Sequence, residues 1–236
     1  DSSPSRGLGD VYKRQETIRG GSPVCWPWFA NQFPNQDESL PAHGFVRSQL
    51  WELQLAEETY SGTRLVLHCP KTRDKGFEYS ANLTLEVLVG KKLTISLQTQ
   101  NTDQNPFSIT GALHTYFAVE NINNILINGL DGDYLDKTRN MQRIQAQDSY
   151  PINEETDRIH FSGLSELVLK ESENKTTIKA SGHDSIVIWN PWEKEAKKVA
   201  NIPNDGYRNF VCIEAAITKG VSVAPNETHE LKQIIE

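Results

Sequence analysis

Residues 82–98, NLTLEVLVGKKLTISLQ, contain two apolar alternations on either side of Gly90, Lys91 and Lys92. Leu83, Leu85 and Val87 alternate with Thr84, Glu86 and Leu88; Leu93, Ile95 and Leu97 alternate with Thr94, Ser96 and Gln98. In an extended chain successive side chains point to opposite faces, so this stretch is expected to form a β-hairpin with one buried face. Similar short runs recur at 64–69 (RLVLHC), 166–172 (ELVLKES), 176–181 (TTIKAS), 185–190 (SIVIWN), 209–216 (NFVCIEAA) and 229–235 (HELKQII), separated by Asn-, Gly-, Pro- and Asp-rich connectors. Long amphipathic helical periodicity is missing, which points to an antiparallel all-β domain. The polar stretch 140–157, with Pro151, is expected to be a surface connection or an edge strand.

With 236 residues, 37% apolar and 23% charged, the chain has the makeup of an ordinary globular protein with one sizeable core. No apolar run approaches the roughly 18 residues of a membrane helix. The net charge of −7 disfavours nucleic acid and anionic membranes as partners, so an anionic ligand would need a local cluster of Arg or Lys. Cys25, Cys69 and Cys212 are widely spaced in apolar segments, without a Cys-x-x-Cys pair, and are expected to be buried reduced thiols of a cytoplasmic protein. Residues 1–15, which end in GLGDVYKRQ (7–15), carry neither periodicity. They resemble a translated sequencing-adapter fragment and are expected to be a non-native tail before a single domain spanning 16–236.

Phosphate-loop, dinucleotide-binding, nucleophile-elbow and paired His/Cys zinc motifs are absent from the sequence, so any chemistry comes from dispersed residues. In IRGGSPVCWPWF (18–29), Arg19 stands beside a glycine pair that lets backbone approach a ligand; equally, it is a surface Arg at a strand end. In LPAHGFVR (40–47), His43 and Arg47 point either into one pocket or into solvent. His114 lies in the apolar run GALHTYFAV (111–119), where a satisfied core histidine is the commoner case. On 209–216, Val211 and Ile213 face one way and Cys212 and Glu214 the other; a carboxylate there is either ion-paired or at a cleft. Asp131, Asp133 and Asp136 in GLDGDYLDK (129–137) do not match the calcium spacing of an EF-hand. Trp26, Trp28, Trp189 and Trp192 are read first as core packing.

Taken in order, IRGG-PVCWPWF, LPAHGFVR, ALHTYF, GL-G-YLDK, VIWNPW, DGYRNFVCIEAA and VAPNETHEL resemble the aldose 1-epimerase superfamily, most closely its hexose-6-phosphate mutarotase branch. The resemblance implies a galactose-mutarotase-like antiparallel supersandwich, here lacking its N-terminal strands and so exposing a sheet edge. It implies interconversion of the α and β anomers of a hexose 6-phosphate, D-glucose 6-phosphate first, without a metal or other cofactor, by a monomer. It places the catalytic acid at His114 and the base at Glu214. Arg19 and Arg47 match phosphate-holding positions, His43 lies beside them, and Asp136 matches a residue that contacts sugar hydroxyls. A mutarotase for unphosphorylated aldoses and a non-catalytic carbohydrate-binding sandwich are the alternatives.

Overall fold

The computed structural model describes residues 19–147, 149–161 and 166–236; the expectation for residues 1–15 lies outside them. Strands are numbered along the chain. In spatial order the first sheet is β1 (Val24–Cys25), β6 (Phe107–Leu113), β16 (Phe210–Val223), β15 (Ser185–Asn190), β12 (Thr156–His160), β9 (Asp133–Asp136) and β10 (Gln142–Gln145), with β7 (Tyr116–Ala118) also on β16. The second sheet is β11 (Ser149–Tyr150), β8 (Ile125–Asn128), β13 (Glu166–Glu171), β14 (Asn174–Ser181), β17 (Thr228–Ile235), β5 (Leu93–Asn101), β4 (Ala81–Gly90), β3 (Gly62–His68) and β2 (Glu52–Thr59). All these pairings are antiparallel, and the only α-helix among the described residues is α1 (Trp192–Ala196). The antiparallel β-sandwich expected from the alternation is therefore present, and no helix among the described residues is long and apolar enough to cross a membrane.

The hairpin at 82–98 forms in register, Leu85 opposite Leu97 and Val87 opposite Ile95. Its inward face meets the first sheet: Leu83, Leu97, Ile178 and Leu231 of one sheet share a core with Leu113, Ile186, Ile188 and Ile213 of the other. Burying each such side chain contributes about 2 kcal/mol, which fixes β15 and β16 firmly against the second sheet. The opposite face of the first sheet carries a smaller cluster of Cys25, Phe29, Ala112, Ile159, Val187 and Ala216.

All three cysteines are free and buried. Trp26 and Trp28 are core residues, whereas Trp189 is only half-buried. Strand β2 forms an edge of the second sheet, and its Leu53 is 59% exposed.

The stretch 140–157 behaves as expected only in part. Gln142–Gln145 is an edge strand, but the chain then enters the first sheet as β12, between β15 and β9. Its sequence, TDRIH, hides this because polar residues occupy both faces. Arg158 and His160 join a buried polar group between the sheets, with Tyr150 and His160 hydrogen-bonded at 2.8 Å and Arg158 stacked on Tyr134 and Tyr150. Asp157 points the other way.

Candidate active site

The alternation on β16 sends Val211, Ile213 and Ala215 into the core and Cys212, Glu214 and Ala216 to the opposite face. Ala215 pairs with Leu113 and Cys212 with Tyr116, so the intervening register sets Glu214 opposite His114. Thr115 and Ile213 occupy the adjacent hydrogen-bonded site, which makes His114 and Glu214 a non-hydrogen-bonded pair, the kind whose side chains approach most closely. Their Nε2 and Oε1 atoms are 3.2 Å apart and their side chains 10% and 2% exposed. The second carboxylate oxygen, Oε2, and Nδ1 of His114 are buried without a hydrogen-bond partner. No Arg or Lys among the described residues is bonded to Glu214, whose carboxylate instead meets the His114 imidazole.

Burial disfavours both charged forms. It raises the Glu214 carboxyl well above its usual range, with Asp157 adding to the effect and Lys137 opposing it. It pushes the His114 imidazolium down, assisted by the charges of Arg47, Arg19 and Lys137. The neutral forms are therefore favoured in the free protein, with the pair's proton on Glu214, 3.2 Å from the imidazole that can take it up.

His43 is brought beside His114, ring centroids 5.5 Å apart, by a loop that only glycine permits. Gly44 has φ +73°, and a Cβ there would lie 1.9 Å from the Trp26 carbonyl oxygen. The backbone N–H of Ala30 donates to His43 Nδ1 at 3.3 Å, with Cys25 Sγ also 3.3 Å away. A backbone N–H can only donate, so Nδ1 is bare, the proton sits on Nε2, and His43 is a neutral donor. Arg19 lies against Tyr116 and donates to the Ala200 carbonyl at 3.3 Å, while Arg47 is the middle residue of the short turn Val46–Ser48. Among the described residues neither arginine has a carboxylate partner, and the charges of both reach His43 and His114.

Asp136 departs from the expectation that it contacts a sugar. It is 1% exposed and lies opposite Arg158, on the face away from Glu214. Its Oδ1 accepts from the Thr138 backbone N–H and hydroxyl, and its Oδ2 lies 3.6 Å from Arg158 Nε. Neighbouring residues of a strand point in opposite directions, and the groups that do reach the cleft face are Asp157 and Lys137, ion-paired at 2.7 Å. Asp157 sits opposite Trp189, which in turn sits opposite Cys212, one row from Glu214 on the same face. Trp189, Tyr116 and Phe210 form an aromatic wall beside His114, with centroids 5.2 to 6.2 Å apart. Sequence reasoning passed over Asp157 and Lys137; the available signal was the Asp–Ile alternation of TDRIH, a face of its own between two polar neighbours.

The buried rings predict acid lability. Burial holds His43 and His160 neutral, each pushed down to about 3, against about 6.5 in an unfolded chain. Between those values the unfolded state binds more protons, so stability is intact above pH ~6.5 and lost as pH falls, by up to about 1.4 kcal/mol per unit for each ring. Denaturant unfolding at a series of pH values measures this. His160→Gln, which keeps a partner for Tyr150, should flatten the slope by one ring's share, and an unchanged slope would count against this account of His160.

The sequence model of the family Aldose 1-epimerase matches residues 15–236. A protein of Escherichia coli K12 named "Putative glucose-6-phosphate 1-epimerase" is 33% identical over 211 residues, covering 87% of this chain and 69% of its own length. One of Cenchrus ciliaris with the same name is 31% identical over 233 residues, covering 92% and 69%. The crystal structure of YeaD from Salmonella typhimurium, a "putative mutarotase", superposes with a TM-score of 0.85 at 28% identity, covering 93% of this chain and 74% of that one. With the family model matching nearly the whole chain and the sandwich superposing on that of a relative, the chain belongs to the aldose 1-epimerase family.

Proposed function

We propose that this epimerase acts on hexose 6-phosphates, with D-glucose 6-phosphate as substrate, and that His114 and Glu214 carry the reaction. The observation supporting this most directly is the pairing of a buried acid–base couple with two arginines free of carboxylate partners among the described residues. In the reaction the proton that the free pair keeps on Glu214 first passes to His114, after which Glu214 takes the proton of the anomeric hydroxyl while protonated His114 gives one to the ring oxygen. The bond from C1 to the ring oxygen breaks, leaving an aldehyde. Rotation about C1–C2 and closure on the other face, with both proton transfers reversed, yields the other anomer and returns each group to its starting state. His43 Nε2–H and the Lys137–Asp157 pair offer donors and an acceptor for sugar hydroxyls, and the aromatic wall faces the apolar side of the ring. Arg19 and Arg47 hold the phosphate, which explains how a chain of net charge −7 attracts a dianion.

Exchange spectroscopy by NMR tests this: α to β exchange of glucose 6-phosphate should accelerate strongly over the buffer rate, and that of glucose much less. Equal acceleration of both sugars would replace the proposal with a mutarotase for free aldoses. Binding without acceleration, from folded protein, would replace it with a carbohydrate-binding module.

A further inference from the structure

Between β6 and β7 the chain makes a break that bears on catalysis. At the hydrogen-bonded pair Thr115–Ile213 an intact antiparallel ladder would have each backbone N–H donate to the other's carbonyl. One of these bonds is present, Ile213 N–H to Thr115 O at 3.1 Å. The other is not: Thr115 N–H turns back on Leu113 O at 3.0 Å, and His114 is carried on the resulting kink. The Ile213 carbonyl, next to Glu214, is thereby deprived of its ladder partner.

A side chain from the opposite sheet takes that place. Gln233 of β17 is fully buried, its Nε2 donates to Ile213 O at 3.0 Å, and its Oε1 accepts from the Thr115 hydroxyl. Because the Thr115 hydroxyl is committed as a donor, the Ser22 hydroxyl donates to it, at 2.8 Å, and so ties in the segment that leads back to Arg19. One carboxamide thus bonds the residue after the acid and the residue before the base. On β17 the neighbours of the same parity, Leu231 and Ile235, are apolar and pack in or against the core. An apolar side chain at 233 would leave the buried Ile213 carbonyl and Thr115 hydroxyl without this partner, at about 1–3 kcal/mol for each group stranded, so the amide holds both groups in place.

We propose that Gln233 is a positioning residue for the reaction: it replaces the ladder bond that Thr115 gives up and so sets the separation and orientation of His114 and Glu214. This rests on the assignment of that pair as acid and base. Misplacement of a reacting group by about 1 Å can cost on the order of 100-fold in rate, whereas substrate binding through Arg47 and Asp157, which make no bond to the amide, is expected to change little.

The test is Gln233→Met, which keeps the length of the side chain without its polar atoms, together with the double variant Thr115→Val/Gln233→Met, which also removes the stranded hydroxyl. Folding is checked by circular dichroism, and kcat and KM for glucose 6-phosphate are read from saturation-dependent exchange rates. The expected result is a folded protein whose kcat falls by about tenfold or more at nearly unchanged KM, with the double variant regaining part of the lost Tm but not kcat. Wild-type kcat in either folded variant would overturn the proposal, as would kcat recovering along with Tm. Failure of both variants to fold would also overturn it, since the amide would then be structural. Glu214→Gln, measured alongside, separates the two levels. Activity retained there would remove the catalytic assignment itself, while a dead Glu214→Gln beside a fully active Gln233→Met removes only the role of Gln233.

Discussion

Glu214→Gln is expected to slow anomer exchange by about 10² to 10⁴-fold while making the protein more stable at neutral pH. The two effects share one cause. The carboxyl is buried, 2% exposed, with Oε2 lacking a partner, so burial raises its proton affinity well above that of an exposed glutamate. For a carboxyl whose folded-state pKa is raised, the folded state binds the extra proton, and stability falls as pH rises from the unfolded value of about 4.5 through the folded one. A neutral amide of the same shape removes that penalty, worth about 1–3 kcal/mol for a buried unsatisfied group. It cannot accept a proton from the anomeric hydroxyl. Thermal unfolding and NMR exchange on the same sample measure both. A Tm that rises while exchange collapses is the signature of a residue kept for chemistry. A fall in Tm with exchange intact would mean that Glu214 is a packing residue and that the base lies elsewhere. His114→Gln should reduce exchange by a comparable factor, and the double variant should be scarcely worse than either alone, because the two groups act as a unit.

The sequence disclosed the sandwich where one face of a strand is apolar and the other is not. At 82–98 the alternation, the hairpin and the burial agree, and on β16 the alternation also tells which way Glu214 faces. It failed at β12, where Arg158 and His160 enter a buried polar group on one side and Asp157 reaches the cleft on the other, so neither face reads as core. It misdirected attention to Asp136, whose neighbour Lys137 is the residue that reaches the cleft; Asp136 instead receives the Thr138 N–H and hydroxyl on the turn that follows it. Gln233 left a fainter mark, a polar residue at the parity of Leu231 and Ile235. The pairing of Glu214 with His114 depends on strands about 100 residues apart in sequence meeting in one register, which no local pattern encodes. Only the resemblance of ordered segments reached it.

The second large effect is a change of substrate preference. Arg47→Ala is expected to lower kcat/KM for glucose 6-phosphate by roughly 10- to 100-fold and leave the slower exchange of glucose almost untouched. The size follows from the loss of charge-assisted hydrogen bonds to a phosphate, about 1.5–3 kcal/mol each, at 1.4 kcal/mol per factor of ten. Arg19→Ala should act in the same direction. Its partner Ala200 is a backbone carbonyl, so its removal strands no buried charge and the protein should keep its fold. Truncation has a side effect with a definite sign. Both guanidinium charges help to suppress the imidazolium of His114, so removing either raises the proton affinity of that ring and changes the balance of the pair. Glucose reports this separately, because it has no phosphate to lose but uses the same acid and base. If exchange of glucose and of glucose 6-phosphate falls by the same factor, the arginines shape or charge the cleft without holding phosphate. If only the phosphorylated sugar is affected, and added salt diminishes the wild-type advantage for it, then a locally positive cleft on a net acidic protein is what selects the substrate.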